Sequence, residues 1–254
     1  MAAEHPEQTD YTNITDQYRR SKLEPWRVHV EEHMMRTLAG DLGGKTVLDL
    51  ACGEGFLTRR LKQWGADRVL GIDRSAAMIE LAKSQQDDSS GGVDYRVAEV
   101  VGLELGERFD VIAAGWLLCY SRTSAELLAM ARTIEQHLAP GGRFFSLTGA
   151  PEHSPAHFDA TRPYGFTKSA ASPELADGTP ITWTFTLPNG ETFELDNYYL
   201  SEGTHEKVFA EAGLSDFVWH RAQVSSAGLA EYGHEFWKAF LEDPPMVCLE
   251  VKRA

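Results

Sequence analysis

The sequence predicts an α/β protein with a doubly wound, mostly parallel seven-stranded sheet. An apolar run at 46–50 breaks into a tight Gly-x-Gly turn, and a helical pattern begins at Phe56. A second apolar run at 68–72 is followed by an acidic residue, Asp73. Further apolar segments alternate with helical ones, and this spacing calls for parallel strands joined by right-handed crossovers.

The remaining elements follow from local patterns. Helical periodicity from Tyr11 and again after Pro25 predicts an N-terminal helical lid, and Ser75 is a typical N-cap for the helix that follows it. An Asn-Gly pair between two alternating runs predicts an inserted β-hairpin. The expected strands are 46–50, 68–72, 93–97, 109–114, 143–148, 181–187, 191–198, 217–222 and 246–252, and the expected later helices are 124–138, 201–212 and 227–241.

A single domain, 1–254, accounts for the whole pattern, because the sequence has neither an internal repeat nor a second-domain linker. Its expected parts are a helical cap at 1–42, a cofactor-binding half at 43–150, a substrate-side insertion at 151–200 and the C-terminal part of the sheet at 201–254.

The composition narrows the possible partners. The formal net charge of −14 opposes a nucleic-acid partner, because affinity for nucleic acid comes chiefly from Lys and Arg. The N-terminal segment is polar and no apolar run approaches the length of a membrane span, so we expect a cytoplasmic protein without a membrane partner. Three widely spaced cysteines fit a reducing compartment and argue against a zinc site. Both a monomer and a homodimer remain open.

The turn after the first strand favours a nucleoside over a dinucleotide. Glycine lets a ligand approach the backbone where a Cβ would interfere, and Asp73 is positioned to hold a ribose. A dinucleotide fingerprint carries a third glycine three positions after Gly55, but this chain has Thr58 there. Asp49 adds a second acidic residue inside the end of the first strand. The pattern disfavours a dehydrogenase and indicates a ligand without a pyrophosphate.

These residues resemble the class I S-adenosylmethionine-dependent methyltransferases, and the resemblance extends over roughly residues 43–253. It implies a Rossmann-like methyltransferase fold, S-adenosylmethionine as methyl donor, S-adenosylhomocysteine as product and no metal. The N-terminal stretch, the Leu-Leu-Cys-Tyr segment at 117–120 and the Tyr-x-x-x-Phe-Trp segment at 232–237 further resemble small-molecule enzymes of the toxoflavin-synthase type.

The residues expected to bind the cofactor are Tyr18, Arg27, Asp49, Ala51, Cys52, Gly53, Asp73, Arg74, Met78, Glu99, Val100 and Ala114. Those at 51–53 form the turn under its methionyl part. The Asp73 carboxylate can accept both ribose hydroxyls, although it could also cap the next helix. Asp49 acts on the cofactor's ammonium through backbone and water, as the resemblance implies, or simply caps the neighbouring helix.

The resemblance assigns three further roles. Glu99 stands where the family usually carries an Asp that accepts from the adenine amine, with the next backbone amide at the ring. The alternative is an exposed Glu99. The Ala114 carbonyl would accept from the methionyl ammonium. Arg27 suits the cofactor's carboxylate, or it has a plain packing or surface role.

The candidate substrate-binding residues are mostly aromatic: Tyr11, Trp26, Trp116, Tyr120, Tyr198, Tyr232, His234 and Trp237. Trp116 is expected beside the sulfonium, where an aromatic face attracts a cation, or else in the core. His153 and His157 follow the fifth strand and are candidate general bases, with a structural role as the alternative for each.

The predicted function is methyl transfer from S-adenosylmethionine to a nitrogen or oxygen of a small, aromatic or heteroaromatic metabolite. Base methylation is disfavoured, because residues 115–118 (Gly-Trp-Leu-Leu) carry neither the Pro-Pro-aromatic motif of enzymes that methylate DNA amino groups nor the Pro-Cys of cytosine C5 enzymes. A protein or RNA methyltransferase and a non-catalytic cofactor-binding protein remain the alternatives.

Overall fold

A computed structural model describes residues 17, 20–86 and 91–253 of the chain. The strands of the described residues are β1 (Thr46–Leu50), β2 (Arg68–Asp73), β3 (Val93–Val97), β4 (Phe109–Gly115), β5 (Leu138–Gly149), β6 (Phe166–Ser169), β7 (Pro180–Thr186), β8 (Thr192–Tyr198), β9 (Leu214–Arg221) and β10 (Met246–Arg253). The α-helices are α1 (Glu32–Ala39), α2 (Phe56–Gln63), α3 (Ala76–Ser84), α4 (Ser124–His137), α5 (Glu202–Glu211) and α6 (Ser226–Glu242).

Seven of these strands form the predicted sheet, in the order β3-β2-β1-β4-β5-β10-β9. Strand β10 is antiparallel to both of its neighbours, and the other paired strands of this sheet run parallel. The strand order reverses between β1 and β4. Ligands of such sheets bind in the crevice outside the carboxyl ends of the strands at that point. The doubly wound, mostly parallel fold is therefore confirmed.

The apolar strands bury side chains on both faces of the sheet, because successive side chains of a strand point in opposite directions. Val47 and Phe145 belong to one buried cluster, which also contains Trp26. Their neighbours Leu48 and Phe144 belong to a second cluster. A strand covered by helices on both faces reads as a continuous apolar run, and this is why the sequence pattern located the strands.

Local capping signals set the starts of the helices. The Ser75 hydroxyl accepts from the backbone N–H of Met78 at 3.3 Å, so Ser75 is the N-cap that the sequence predicts. Strand β9 begins at Leu214, earlier than expected, because a Ser-Asp pair after it hides the start of the strand in the sequence pattern. Strand β5 begins at Leu138, ahead of the Pro-Gly-Gly turn.

The insertion forms a separate three-stranded antiparallel sheet, in the order β6-β7-β8. The predicted hairpin is confirmed as β7 and β8, whereas β6 was not predicted, since four residues are too few to show alternation. The ring of Phe166 on β6 lies 5.0 Å from that of Trp26, and Trp183 on β7 lies 5.2 Å from Trp116. The small sheet therefore shares its core with the large one.

The N-terminal lid is described from residue 20 onwards, so Tyr11 and Tyr18 lie outside the described residues. A helical turn begins at Pro25, as expected, but Arg27–Glu31 is π-helical before α1 begins. Apolar periodicity does not distinguish a π-helix from an α-helix, although π-helical turns are frequent at functional sites. Within the described ranges, no helix has the length and apolar character needed to cross a bilayer.

Candidate functional site

A cleft opens at the carboxyl ends of β1 and β4, where the strand order reverses. This main cleft encloses about 570 Å³ and is bordered by the turn after β1, the end of β4, α1 and Lys22. Most of the residues predicted to surround the methionyl part of the cofactor meet here. The predicted turn residues Ala51, Cys52 and Gly53 all line the cleft.

The two glycines of the turn serve different purposes. Gly53 has a φ of +54° and Gly55 a φ of +81°, both in the left-handed region that favours glycine. A Cβ on Gly53 would meet no described atom within 4 Å, so this glycine leaves the backbone open toward a ligand. A Cβ on Gly55 would overlap the ring of Tyr95 and the guanidinium of Arg59. Gly55 is therefore required by packing, and Gly53 is the one available for close approach.

Asp49 lies fully buried below the turn, and its partner is the residue that replaces the third glycine. The Thr58 hydroxyl donates to Asp49 Oδ2 at 2.6 Å. Asp49 Oδ1 is buried and has no hydrogen-bond partner among the described residues. Burial raises the pKa of Asp49 to about 7, against the lowering effect of the Thr58 hydroxyl. Asp49 is thus a strong acceptor beside the cleft that a cationic donor would satisfy.

Asp73 holds the turn in place. Its Oδ2 accepts from the backbone N–H of Gly53 at 2.9 Å, and its Oδ1 accepts from the backbone N–H of Ser75 at 2.8 Å. Burial raises the pKa of Asp73, and these two amides oppose the shift. The local, cap-like role is therefore real, but each carboxylate oxygen still has a lone pair. The predicted ribose contact stays a prediction.

The residues predicted around the adenine and ribose surround the ends of β2 and β3. Val100 and Met78 are buried, whereas Arg74 and Glu99 are exposed. The exposure of Glu99 agrees with its solvated alternative and leaves its side chain accessible to a ligand. None of these positions has a contact that tests its predicted role.

Trp116 separates the main cleft from a smaller side cavity of about 280 Å³, because its ring lines both. Its φ of +64° is strained for a bulky residue, and such strain clusters at functional sites. The indole N–H donates to Glu31 Oε2 at 3.1 Å, and the ring packs edge-on against Trp26 and Trp183. Trp116 therefore lines the main cleft and also packs against the core, while its position beside the sulfonium stays a prediction.

Glu31, in the π-helical turn, was not predicted as a site residue. It lines the main cleft, and its Oε2 accepts from Arg27 at 2.8 Å while Lys22 lies 3.5 Å from its Oε1. Burial opposes its ionisation, but Lys22, Arg27 and the Trp116 N–H outweigh burial and lower the pKa of Glu31. The only signal in the sequence was an acidic residue within an apolar helical pattern.

One predicted cofactor contact is placed differently from expectation. Arg27 lines the side cavity instead of the main cleft, with its guanidinium 4.4 Å from the ring of Trp26. The basic side chains that line the main cleft are Lys22 and Arg60. The Ala114 carbonyl accepts from the Ser146 hydroxyl at 2.9 Å and keeps a second lone pair, so its predicted contact with the ammonium stays a prediction.

Of the predicted substrate-binding residues that the structure describes, three line the side and distal cavities. Trp116 and Tyr120 line the side cavity, and Tyr198 lines a third, distal cavity described below. Trp237 is a correction, because it is fully buried and its indole N–H donates to the Gly228 carbonyl at 3.0 Å, which makes it a core residue.

Trp26 is also fully buried and acts as packing behind Trp116. Tyr232 and His234 are exposed on α6, and the Tyr232 ring packs on Phe236.

The two candidate bases differ in their surroundings. His153 is buried, and its Nδ1 lies 2.9 Å from the Asp243 carbonyl oxygen. His157 is exposed, and its Nδ1 lies 2.7 Å from Asp243 Oδ2. Burial and then the charge of Lys168 lower the pKa of His153 to about 4, so it is neutral near pH 7. Among the described residues, no group of three or more His, Cys, Asp and Glu side chains could hold a metal ion.

Comparison with known proteins agrees with this geometry. Residues 47–142 match a family model described as a methyltransferase domain. The ubiquinone biosynthesis O-methyltransferase of Methylobacterium sp. (strain 4-46) is 34% identical over 108 residues, 42% of each chain. That of Stutzerimonas stutzeri (strain A1501) is 32% identical over 130 residues, 50% of this chain and 52% of the relative. The chain thus spans about half the length of the curated relatives it matches.

Solved structures extend the likeness over nearly the whole chain. An S-adenosylmethionine-dependent methyltransferase from Mesorhizobium loti has a TM-score of 0.64 at 21% identity, and the match covers 92% of this chain and 100% of that one. A sugar N-methyltransferase from Streptoalloteichus sp. has a TM-score of 0.63 at 17% identity, covering 100% and 96%. These likenesses show the fold. Together with the domain match they confirm the resemblance to class I S-adenosylmethionine-dependent methyltransferases, whereas the narrower toxoflavin-synthase resemblance stays a prediction.

Proposed function

We propose that this chain, which has the methyltransferase domain and fold just described, transfers a methyl group from S-adenosylmethionine to a nitrogen or oxygen of a small, aromatic or heteroaromatic metabolite. The observation that carries the proposal is Asp49, a cleft-lining carboxylate with one buried oxygen that has no partner among the described residues. It lies beside the glycine turn, at the edge where such sheets bind nucleosides.

The charges that line the main cleft fit those of S-adenosylmethionine. Its ammonium and sulfonium groups are cationic and suit Asp49 and Glu31, and its carboxylate suits Lys22 and Arg60. The ribose hydroxyls suit Asp73, whose oxygens keep lone pairs beside the turn. The set thus offers a partner for each charged group of the cofactor.

S-adenosylmethionine, when bound, supplies a methyl group that its sulfonium already activates. The chain's task is then to hold the acceptor in line with that methyl and to exclude water. Trp116 suits this task because its ring borders both cavities and can attract a cation by roughly 0.5–2 kcal/mol. Glu31 fixes the ring through its indole N–H and stays ionised because its pKa is low.

The lining of the side cavity favours a flat acceptor ring. Trp116, Trp183 and Phe185 give it aromatic walls. Flat rings pack well against such walls. The curated relatives are O-methyltransferases and a structural neighbour is a sugar N-methyltransferase, so their names agree on small acceptors but not on an aromatic one. The aromatic class therefore rests on the cavity walls alone.

A general base is required only if the accepting atom is protonated when it attacks. His153 and His157 remain the proposed candidates. His153 has the better position, because it lines a cavity of this edge and is neutral near pH 7, although a pKa of about 4 makes it a weak base. Alignment and desolvation are therefore proposed to carry most of the catalysis.

The test is transfer of a labelled methyl group from S-adenosylmethionine into a cell extract that is then separated by size. We expect label in the small-molecule fraction, reduced in the Asp49→Asn variant and unchanged in Asp67→Asn, an exposed residue outside the site. Label in protein or RNA would replace the small-molecule acceptor with a macromolecular one. Binding of S-adenosylmethionine without transfer to any fraction would favour the non-catalytic alternative.

A further inference from the structure

A third cavity continues the row formed by the main cleft and the side cavity. This distal cavity encloses about 460 Å³ between the end of β5, the small sheet and α5. Trp183 and Asn197 line both it and the side cavity, just as Trp116 lines both the side cavity and the main cleft. A substrate bound in the side cavity could therefore extend into the distal cavity.

His153 presents an unsatisfied acceptor in this cavity. A carbonyl oxygen can only accept, so His153 Nδ1, at 2.9 Å from the Asp243 carbonyl, must carry the ring proton. Nε2 of the neutral ring then has a lone pair. It is buried and has no hydrogen-bond partner among the described residues, and the side chain as a whole is 1% exposed. A buried acceptor in this state favours a ligand that donates a hydrogen bond.

Lys168 supplies the complementary donor. Its amino group is buried, donates to the Pro245 carbonyl at 3.1 Å and lies 4.5 Å from the Trp183 ring. Burial lowers the pKa of Lys168 to about 7, against the charges of Asp243 and Cys119. The ammonium has three N–H groups and the neutral amine two, so a donor remains after that bond in either form. Both Lys168 and His153 pack against the ring of Phe158, which brings the two polar groups to one wall of the cavity.

No Asp or Glu is among the described residues that line the distal cavity. Besides the Lys168 donor, the lining offers neutral acceptors, and His205 repeats the arrangement of His153. Its Nδ1 lies 3.0 Å from the Ser201 carbonyl, which leaves Nε2 as an acceptor. A carboxylate ligand could accept from Lys168, but it would face the lone pairs of the two histidines with lone pairs of its own. A hydroxyl group, which both donates and accepts, fits them.

We propose that the distal cavity binds a hydroxyl group of the acceptor molecule, which donates to His153 Nε2 and accepts from Lys168 Nζ. This inference rests on the proposed function and narrows its substrate class. The acceptor is then a ring compound with the methyl-accepting atom at the main cleft and a hydroxyl at its other end. In this arrangement His153 positions the substrate and lies too far from the methyl-accepting atom to act as its general base.

Phenol, toluene and benzoate are suitable probes, because they share a benzene ring and differ in the substituent that would contact His153 and Lys168. Each is titrated calorimetrically into the protein with S-adenosylhomocysteine present. We expect phenol to bind about tenfold or more tightly than toluene, and more tightly than benzoate, which can accept from Lys168 but cannot donate to His153. Equal binding of phenol and toluene, preference for benzoate, or absence of phenol binding overturns the inference.

Two variants assign the preference to its residues. His153→Asn keeps an N–H for the Asp243 carbonyl but has no group in place of Nε2, and Lys168→Met removes the ammonium while keeping the chain length. Each should reduce phenol binding to the level of toluene. His220→Asn, on β9 and outside the lining of the three cavities, should keep the preference. A preference that survives both site substitutions overturns the inference.

The same titrations separate this inference from the proposed function. S-adenosylhomocysteine binds in the main cleft under the proposed function, so its affinity should be unchanged in His153→Asn and Lys168→Met. Phenol preference without S-adenosylhomocysteine binding contradicts the proposed function alone. S-adenosylhomocysteine binding without phenol preference contradicts the distal site alone. Thermal unfolding of each variant verifies that it folds.

Discussion

Asp49→Asn should weaken S-adenosylmethionine binding by about 10- to 150-fold near pH 7.5. Asparagine has the same shape, and its carbonyl oxygen can still accept from the Thr58 hydroxyl. What it removes is the negative charge at the oxygen that has no partner among the described residues. A charge-assisted hydrogen bond contributes about 1.5–3 kcal/mol, and about 1.4 kcal/mol corresponds to a factor of ten.

The same carboxylate predicts a pH dependence of binding. Burial raises the pKa of Asp49 in the free protein to about 7, with Asp73 adding to the shift and Thr58 and Lys22 opposing it. Below that pH the carboxyl group must lose its proton before it can pair with a cationic group. Affinity should therefore fall up to about tenfold per pH unit as the pH drops below 7, and binding near pH 6 should release close to one proton.

Stability should change in the opposite direction. The folded pKa of Asp49, about 7, lies above the ordinary value of 3.8, so its contribution to stability is present below about pH 4 and lost as the pH rises through 7. Fully ionised, the buried group costs up to about 4 kcal/mol. Asp49→Asn should therefore have a higher free energy of unfolding than the wild type above pH 7, and a similar one near pH 4.

Calorimetric titration in two buffers of different ionisation enthalpy measures both affinity and proton release. The matched control is Asp67→Asn, an exposed residue just before β2 at the opposite edge of the sheet. It should bind and release protons as the wild type does. Wild-type affinity in Asp49→Asn, or proton release that persists in that variant, would refute the role assigned to this carboxylate.

Three further predictions follow from neighbouring contacts. Asp73→Ala should weaken S-adenosylmethionine binding by at least about 1.5–3 kcal/mol in calorimetry. An unchanged affinity would show that Asp73 binds only the backbone amides of Gly53 and Ser75. Gly53→Ala and Gly55→Ala each place a Cβ on a residue with positive φ, which costs about 1–2 kcal/mol of folding stability. Only the Cβ at position 55 also overlaps the Tyr95 ring, so Gly55→Ala should lose more stability in urea denaturation. Equal losses in the two variants would contradict this difference. Trp116→Phe should destabilise the fold by about 1–3 kcal/mol, and by less in a Glu31→Gln background; strictly additive losses would mean that the two do not interact.

The sheet could be predicted because its signals are local. The apolar run of β1, the turn glycines and the Ser75 cap each determine the backbone over a few residues. The position of Asp49 at the end of β1 followed from the same pattern. Its partner did not, because the bond to Thr58 joins a strand to the helix beyond the turn, and the sequence showed only that a glycine was absent.

The residues that were missed are polar side chains whose direction depends on tertiary packing. Glu31 turns into the cleft because Arg27–Glu31 is π-helical, a register that apolar periodicity cannot reveal. Lys168 lies on β6, a strand too short to be recognised, and the residues that bury it, Trp183 and Phe158 among them, are distant in the sequence. Trp237 was expected at the substrate site but is a core residue. An aromatic residue in a helix packs into the core as readily as it lines a site, and the sequence pattern does not distinguish the two.

The most direct test of the central claim is calorimetric titration of the purified chain with S-adenosylmethionine, S-adenosylhomocysteine and nicotinamide adenine dinucleotide. We predict saturable one-to-one binding of the first two, mutual competition between them, and no binding of the dinucleotide. Binding of the dinucleotide without binding of either adenosyl compound would contradict the proposed function, because the main cleft would then be a different nucleotide site.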